Sequence, residues 1–117
     1  MTQDQCIEIA EKVWGWDKST LIFNGYPLWR NLKSSEDGIW EDALPKEVLS
    51  WTGFGRTVEG MVGYQFIAKG DGCGFCKKPI RKHEIVWHNY DYSNRDRTEL
   101  IEATHLAALD AIKNNSK

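Results

Sequence analysis

The chain has 117 residues, enough for one domain (1–117) with a substantial core. Its hydrophobic share of 41% and charged share of 27% are ordinary for a globular protein, and its net charge of −2 argues against binding bulk duplex DNA through a basic face. No apolar run approaches the roughly 20 residues that cross a bilayer, so we expect no membrane partner, and three cysteines without an export signal predict a cytoplasmic location.

The first predicted element is an N-terminal helix that ends near Gly15. Thr2 and Gln5 have the spacing of a capping box, in which each side chain accepts a hydrogen bond from the backbone of the other residue. Apolar residues then recur at helical period, namely Cys6, Ile9, Ala10 and Val13. Because free cysteine is usually buried, Cys6 is predicted to be a core residue.

The following segment is irregular, with one short strand predicted over 20–23. A second, short helix is predicted over 45–51, because Pro45 suits the first turn of a helix. Gly53 and Gly55 come directly afterwards and are predicted to end it.

Strand is predicted next over 56–70 and over 83–92. Gly60 and Gly63 indicate a bulge within the first of these segments, or a turn that divides it into two shorter strands. In the first strand, alternate residues are apolar or aromatic and would share one face: Val62, Tyr64, Phe66 and Ala68. The glycine-rich stretch GDGCGFCKKPIRK lies between the strands. It is predicted to form the long loop of an antiparallel hairpin, at about 69–82.

The last predicted element is a C-terminal helix, with Asp96 and Glu99 near its start. Its predicted buried stripe consists of Ile101, Thr104, His105, Ala108 and Ile112. The order of the elements predicts an α+β fold, an antiparallel sheet sandwiched by the N-terminal and C-terminal helices, with one further short helix.

Three segments of the chain, QCIEIAEKVWGW, WEDALPKEVLSW and LIEATHLAALDAI, together with the order of the elements, resemble the phage ABA sandwich domain family. These are small proteins encoded by phages and prophages. The resemblance implies a phage origin and a sheet covered by helices. It implies no catalytic residues, since the family has no generally established activity. The predicted loop at 69–82 is an elaboration on the family pattern.

Cys73 and Cys76 have the CxxC spacing that lets two thiolates share a zinc ion, with His83 as a third ligand. His88 cannot join them, because five residues of strand place it about 16 Å from His83 and on the opposite face. The alternative is a pair of reduced cysteines without metal. A thioredoxin-like redox pair is disfavoured, because Pro79 and a strand follow where a helix would be needed.

Basic residues surround the same stretch, and glycines Gly70, Gly72 and Gly74 could present backbone N–H groups to a phosphate. Lysine and arginine would bind phosphates, and an aromatic ring would stack on a base. The predicted ligand-binding residues are Lys77, Lys78, Arg81, Lys82, Trp87, Tyr90 and Tyr92, with Lys69 as a further cation nearby. The alternative is a solvated hairpin tip with core aromatics behind it.

These patterns predict a binding protein and no enzyme, because the sequence has no nucleophile elbow and no HExxH motif. The predicted partner is a small anionic, nucleotide-like ligand of host defence. The alternatives are a protein–protein inhibitor or adaptor of a host factor, and a zinc-stabilised structural module. The expected location is the cytoplasm of the infected bacterial host. A homo-oligomer is expected, because one domain of this size offers little concave volume.

Overall fold

The computed structural model of the protein describes residues 1–18, 28–33, 37–77, 85–91 and 97–115. In this part of the chain the helices are α1 (Gln3–Glu8), α2 (Leu44–Val48), α3 (Trp51–Gly60) and α4 (Thr98–Asn115). The strands are β1 (Asp17–Lys18), β2 (Leu28–Arg30), β3 (Ile39–Trp40), β4 (Tyr64–Lys69), β5 (Gly72–Lys77) and β6 (His88–Asn89). None of the described helices is long and apolar enough to cross a membrane. The strand predicted at 20–23 lies outside the described residues.

The fold is α+β, as predicted, but the described strands form two small sheets and not one. Both sheets are antiparallel and three-stranded, with the orders β1-β2-β3 and β4-β5-β6. In the second sheet β5 is central, since it pairs with β4 along its whole length and with β6 at Gly72 and Cys73. Helix α4 packs chiefly across β5 and covers one face of this sheet, called the inner face below.

The predicted start of α1 is confirmed. The Thr2 hydroxyl accepts the N–H of Gln5, and the Gln5 side chain accepts the N–H of Thr2, which is the complete capping box. After Glu8 the helix widens into a π-helical turn over Ile9–Val13 and ends before Gly15, whose φ is +71°. The buried residues are the predicted ones, Cys6, Ile9, Ala10 and Val13.

The prediction that Gly53 and Gly55 end a short helix is wrong. Chain 51–60 forms α3, and Ser50 caps it by accepting the N–H of Gly53 at 3.1 Å. Residues 56–60, predicted as strand, are therefore helical. The glycine at position 53 is needed because the C-terminal carbonyls of α2 lie directly against it. Glycine thus permits close packing of two helices here, and it does not break one.

Helix α4 occupies the predicted position and buries most of the predicted stripe. Ile101, Thr104, His105 and Ala108 are each at most 2% exposed, and Ile112 is half-buried. The core between α1, α2 and α4 includes Leu44, Val48, Ala107 and Ala111. The small alanine side chains let α4 approach the sheet closely.

The predicted long loop at 69–82 is wrong for its first half. Residues 72–77 form β5, and every residue of this strand except Lys77 is buried. The connection to β4 is only the two-residue turn Gly70–Asp71, in which Gly70 has a φ of +60°. A glycine at the first central position is typical of the type II′ turn, which matches the twist of paired strands. The predicted strand at 83–92 is shorter than expected, and only His88–Asn89 pair within the described residues.

Candidate functional site

The glycines of β5 position the segment that follows it in the chain. A Cβ atom on Gly74 would come within 3.0 Å of the Val86 carbonyl oxygen and closer still to the Ile85 side chain. Because Cys73 faces α4, Gly72 and Gly74 must face the opposite, outer side of the sheet. Chain 85–87 therefore lies across the outer face of β5. Ile85 is buried there, and its two neighbours are exposed.

Trp87 is the largest exposed side chain on this outer face. Its ring edge lies 3.6 Å from the position that a Cβ of Gly72 would take, so the indole rests against the strand. The side chain is 43% exposed. Its indole N–H forms no hydrogen bond with any residue that the structure describes. Trp87 thus offers a supported aromatic surface to solvent.

Lys69 shares the outer face with Trp87. It is the direct cross-strand partner of Gly72, and side chains of such partners point to the same side of a sheet. Lys69 is exposed, and it forms no ion pair with a described residue. A positive charge and an aromatic ring therefore flank Gly72, and we call the pair Lys69 and Trp87 the outer platform.

The structure separates the predicted ligand-binding residues. Tyr90 lies at the turn, where its N–H donates to the Asp71 carbonyl at 2.8 Å and its hydroxyl donates to the Gly70 carbonyl at 3.0 Å. Lys77 lies at the other end of β5, about 17 Å from Gly72 at strand spacing. Lys78, Arg81, Lys82 and Tyr92 lie outside the described residues. Trp87 and Tyr90 therefore share one end of the hairpin, and Lys77 does not lie with them.

The predicted phosphate nest is not formed by the glycines of β5. The turn closes on the pair Lys69 and Gly72, so Gly72 and Gly74 direct their N–H groups toward β4 within the ladder. Gly70 is a turn residue. The N–H groups of Gly72 and Gly74 are therefore not available to an anion at this end of the sheet.

Cys73 and Cys76 do not have the geometry of a zinc pair. They are three residues apart in a regular strand, about 10 Å along the chain and on opposite faces, whereas two thiolates on one zinc ion lie within about 4.6 Å of each other. The Cys73 sulfur instead lies 3.9 Å from the Thr104 hydroxyl on α4, and burial raises the pKa of this thiol. The third predicted ligand, His83, lies outside the described residues. The described residues include no group of three potential ligands.

A histidine–aspartate pair joins the second sheet to α4. His88 Nε2 lies 2.6 Å from Asp110 Oδ2, and both side chains are partly exposed. Cys73 is the cross-strand partner of His88, so the three residues have the composition of a thiol-hydrolase site. However, Cys73 is fully buried, its thiol pKa is raised and its sulfur contacts Thr104, so it is not an activated nucleophile.

Two surface grooves follow α4 on either side of His88. The first has a volume of about 510 Å³ and is lined by the carboxylates of Asp91, Glu99 and Glu102. The second, of about 650 Å³, lies between α4 and the N-terminal helix, where Glu8 and Lys12 meet. The first groove repels an anion, so the predicted anionic ligand does not fit there.

His105 is fully buried in a hydrogen-bond chain that links α2, α3 and α4 to Trp14 at the end of the N-terminal helix. Its Nε2 donates to the Val48 carbonyl, so its Nδ1 accepts from the Thr57 hydroxyl at 2.8 Å. The Thr57 oxygen in turn accepts the indole N–H of Trp14 at 2.9 Å. Burial lowers the pKa of His105 from 6.5 to about 4, against the opposing effect of the Val48 carbonyl. His105 is therefore a neutral structural residue.

Trp14 belongs to a second interaction that fixes α3. The Arg56 guanidinium lies over the rings of Trp14 and Trp16, at 4.9 Å from the nearer centroid, and it also pairs with Glu47 at 2.8 Å. A cation over an aromatic face is attracted by the quadrupole of the ring, so this contact stabilises the fold. Trp14 and Trp16 are thus structural. Trp29 is also structural, because it is buried and its indole N–H donates to Glu41. The exposed tryptophans are Trp40, Trp51 and Trp87.

The fold and the outer platform together define a small α+β domain with an exposed aromatic–cationic surface on one sheet. Comparison of the chain with protein-family models, with curated proteins and with solved structures gives no significant match. The resemblance to the phage ABA sandwich domain family therefore stays a prediction.

Proposed function

We propose that this protein is a non-catalytic binding protein, and that it binds a small anionic ligand with a planar ring, such as a nucleotide. The observation that carries the proposal is the outer platform, in which the exposed Trp87 ring rests on β5 beside Lys69, which forms no ion pair with a described residue. A base can stack on the indole, and the lysine is placed to attract a phosphate.

The basic segment that follows β5 adds to the proposal by its place in the chain. Lys78, Arg81 and Lys82 lie between Lys77 and Ile85 in the sequence. Their role as ligand-binding residues rests on that sequence position and on their charge. A phage origin and a role against host defence are further parts of this proposal, and they rest on the family resemblance. A cytoplasmic location is also part of it and rests on the cysteine content of the sequence.

Replacing Trp87 by alanine is expected to weaken nucleotide binding by about 5-fold to 150-fold, because stacking of a base on an aromatic ring contributes roughly 1–3 kcal/mol. Binding is measured by calorimetry and by the shift in melting temperature over a panel of nucleotides. Trp40→Ala is the matched control, since Trp40 is 41% exposed but lies on the first sheet.

Lys69→Gln is expected to weaken nucleotide binding and to reduce the dependence of the binding affinity on salt concentration.

Two results would overturn this proposal. One is a panel of nucleotides that leaves the melting temperature of the native protein unchanged. The other is an equal loss of binding in Trp87→Ala and Trp40→Ala, which would show that the outer platform is not the binding surface. A protein–protein adaptor would then be the better hypothesis, because tryptophans in three separate parts of the chain are exposed.

A further inference from the structure

Strand β4 lies at the edge of its sheet, and on the side away from β5 it carries backbone groups that have no partner among the described residues. The turn closes on the pair Lys69 and Gly72, so alternate residues of β4 direct their N–H and C=O groups away from β5. Tyr64 confirms this alternation, because its N–H donates to the Met61 carbonyl at 3.2 Å and not to β5. The same groups of Phe66 and Ala68 form no hydrogen bond with any residue that the structure describes.

The edge also lacks the usual protection against pairing with another strand. Chain 64–68 contains no charged residue and no proline, and Lys69 at the end of the strand carries its single charge. Phe66 and Ile67 are only half-buried. On the inner face, an apolar strip continues from Phe66 through Phe54 to the exposed Trp51, with ring centroids 5.8 and 5.4 Å apart. Such an edge, long for a small sheet, is a template for a further strand.

We propose that β4 pairs with β4 of a second copy of this chain, antiparallel and across a two-fold axis, to form a six-stranded sheet. The occupied N–H of Tyr64 selects the register. When Phe66 pairs with Ala68 of the partner subunit, the N–H and C=O groups of both residues form hydrogen bonds on each chain. Shifting the partner strand by two residues in either direction would instead require the backbone groups of Tyr64 or of the turn residue Gly70. Ile67 then lies opposite Ile67 of the partner subunit.

In this register the side chains of one β4 strand fit against those of the partner strand. On the inner face the large Phe66 lies beside the small Ala68 of the partner subunit. On the outer face the two Ile67 side chains meet, as β-branched residues do well across strands. Lys69 lies opposite the neutral Gln65 of the partner subunit, so no like charges are opposed. The pairing does not depend on ligand, and its failure would leave the proposed function untouched.

The register is tested by disulfide cross-linking. Ile67→Cys is expected to form a covalent dimer under mild oxidation, because opposite residues of this non-hydrogen-bonded pair have Cα atoms about 4.5 Å apart, within reach of a disulfide. Gln65→Cys alone and Lys69→Cys alone should not cross-link, but a mixture of the two should. The native cysteines are buried and do not interfere. Cross-linking of Lys69→Cys with itself, or none with Ile67→Cys, would overturn the register.

The dimer itself is tested by sedimentation of the native protein over a range of concentrations. Ala68→Pro is expected to abolish the dimer and leave the monomer folded, because the N–H it removes has no partner among the described residues of the chain. Ala68→Ser keeps that N–H and is the control. Ile67→Lys is a second variant for the case in which Ala68→Pro misfolds. It places two positive charges opposite each other across the two-fold axis, and it should likewise abolish the dimer. A native protein that is monomeric throughout, or a dimer that survives both Ala68→Pro and Ile67→Lys, would overturn the proposal.

Discussion

Replacing His105 by alanine is expected to lower the free energy of unfolding at neutral pH by about 3 to 5 kcal/mol, one of the largest losses available to a single substitution in this chain. The substitution leaves a cavity where a fully buried ring was. It also leaves the Thr57 hydroxyl and the Val48 carbonyl without their partner. Unfolding in urea, followed by circular dichroism, measures the change. A loss below about 1 kcal/mol would show that the hydrogen-bond chain does not stabilise the fold.

The same histidine predicts a pH dependence with a defined sign. Because its pKa is about 4 in the folded protein and near 6.5 when unfolded, the unfolded state binds more protons between these values. The contribution of His105 is therefore complete above pH 6.5 and is lost as the pH falls through 4. The difference in pKa corresponds to roughly 3 kcal/mol.

Matched measurements isolate this contribution from the protonation of carboxylates. His105→Gln can still donate to the Val48 carbonyl, but it does not titrate. The native protein should exceed His105→Gln in free energy of unfolding, and this difference should decrease by roughly 3 kcal/mol when the pH is lowered from about 7 to 4. An advantage that stays constant across this range would show that His105 titrates normally in the folded protein.

The two terminal helices could be predicted because their signals are local. The capping box of Thr2 and Gln5 and the stripe that begins at Cys6 need only neighbouring residues, and the structure confirms both. The stripe of α4 likewise placed His105 against the core. It could not show that the imidazole bonds to Thr57 and Val48, because these partners are 48 and 57 residues away in the sequence.

The errors in the middle of the chain have one physical cause. The sequence patterns predict a helix end at Gly53 and Gly55 and a loop at the glycine-rich stretch 70–74, but in this protein several glycines let two backbones approach closely. Gly74 admits chain 85–87 onto the outer face of β5, and Gly53 and Gly60 admit α2 and the π-helical turn against α3. Which backbone comes near a glycine is decided by tertiary contacts, so no local pattern distinguishes these uses.

The candidate site was predicted in part. Trp87 and Tyr90 do lie near the glycine-rich turn, because β6 pairs with the start of β5. The contribution of Lys69 to the outer platform could not be ranked above that of Lys77 without the register of β4 and β5. The pair His88 and Asp110 had no signal in the sequence, since their contact depends on how α4 crosses the sheet.

Two glycines of α3, two residues apart, are expected to respond to alanine in opposite directions. A Cβ on Gly53 would collide with the carbonyl oxygens of Glu47 and Val48, which are backbone atoms that cannot rotate away. Gly53→Ala should therefore separate α2 from α3 and lower the free energy of unfolding by about 2 to 4 kcal/mol. At Gly55 no atom lies within 4 Å of the new Cβ. Gly55→Ala should raise the free energy of unfolding by about 0.5 to 1 kcal/mol, since alanine favours a helix.

Urea unfolding of the two variants side by side tests whether 51–60 is a helix at all. The pair is matched, because both substitutions change the same residue type within the same two turns. If these glycines instead ended a helix in extended or turn conformations, Gly55→Ala would be destabilising and Gly53→Ala would not be singled out. Only a helix packed on the end of α2 gives opposite signs, because helix propensity acts at both positions and the backbone collision acts at Gly53 alone.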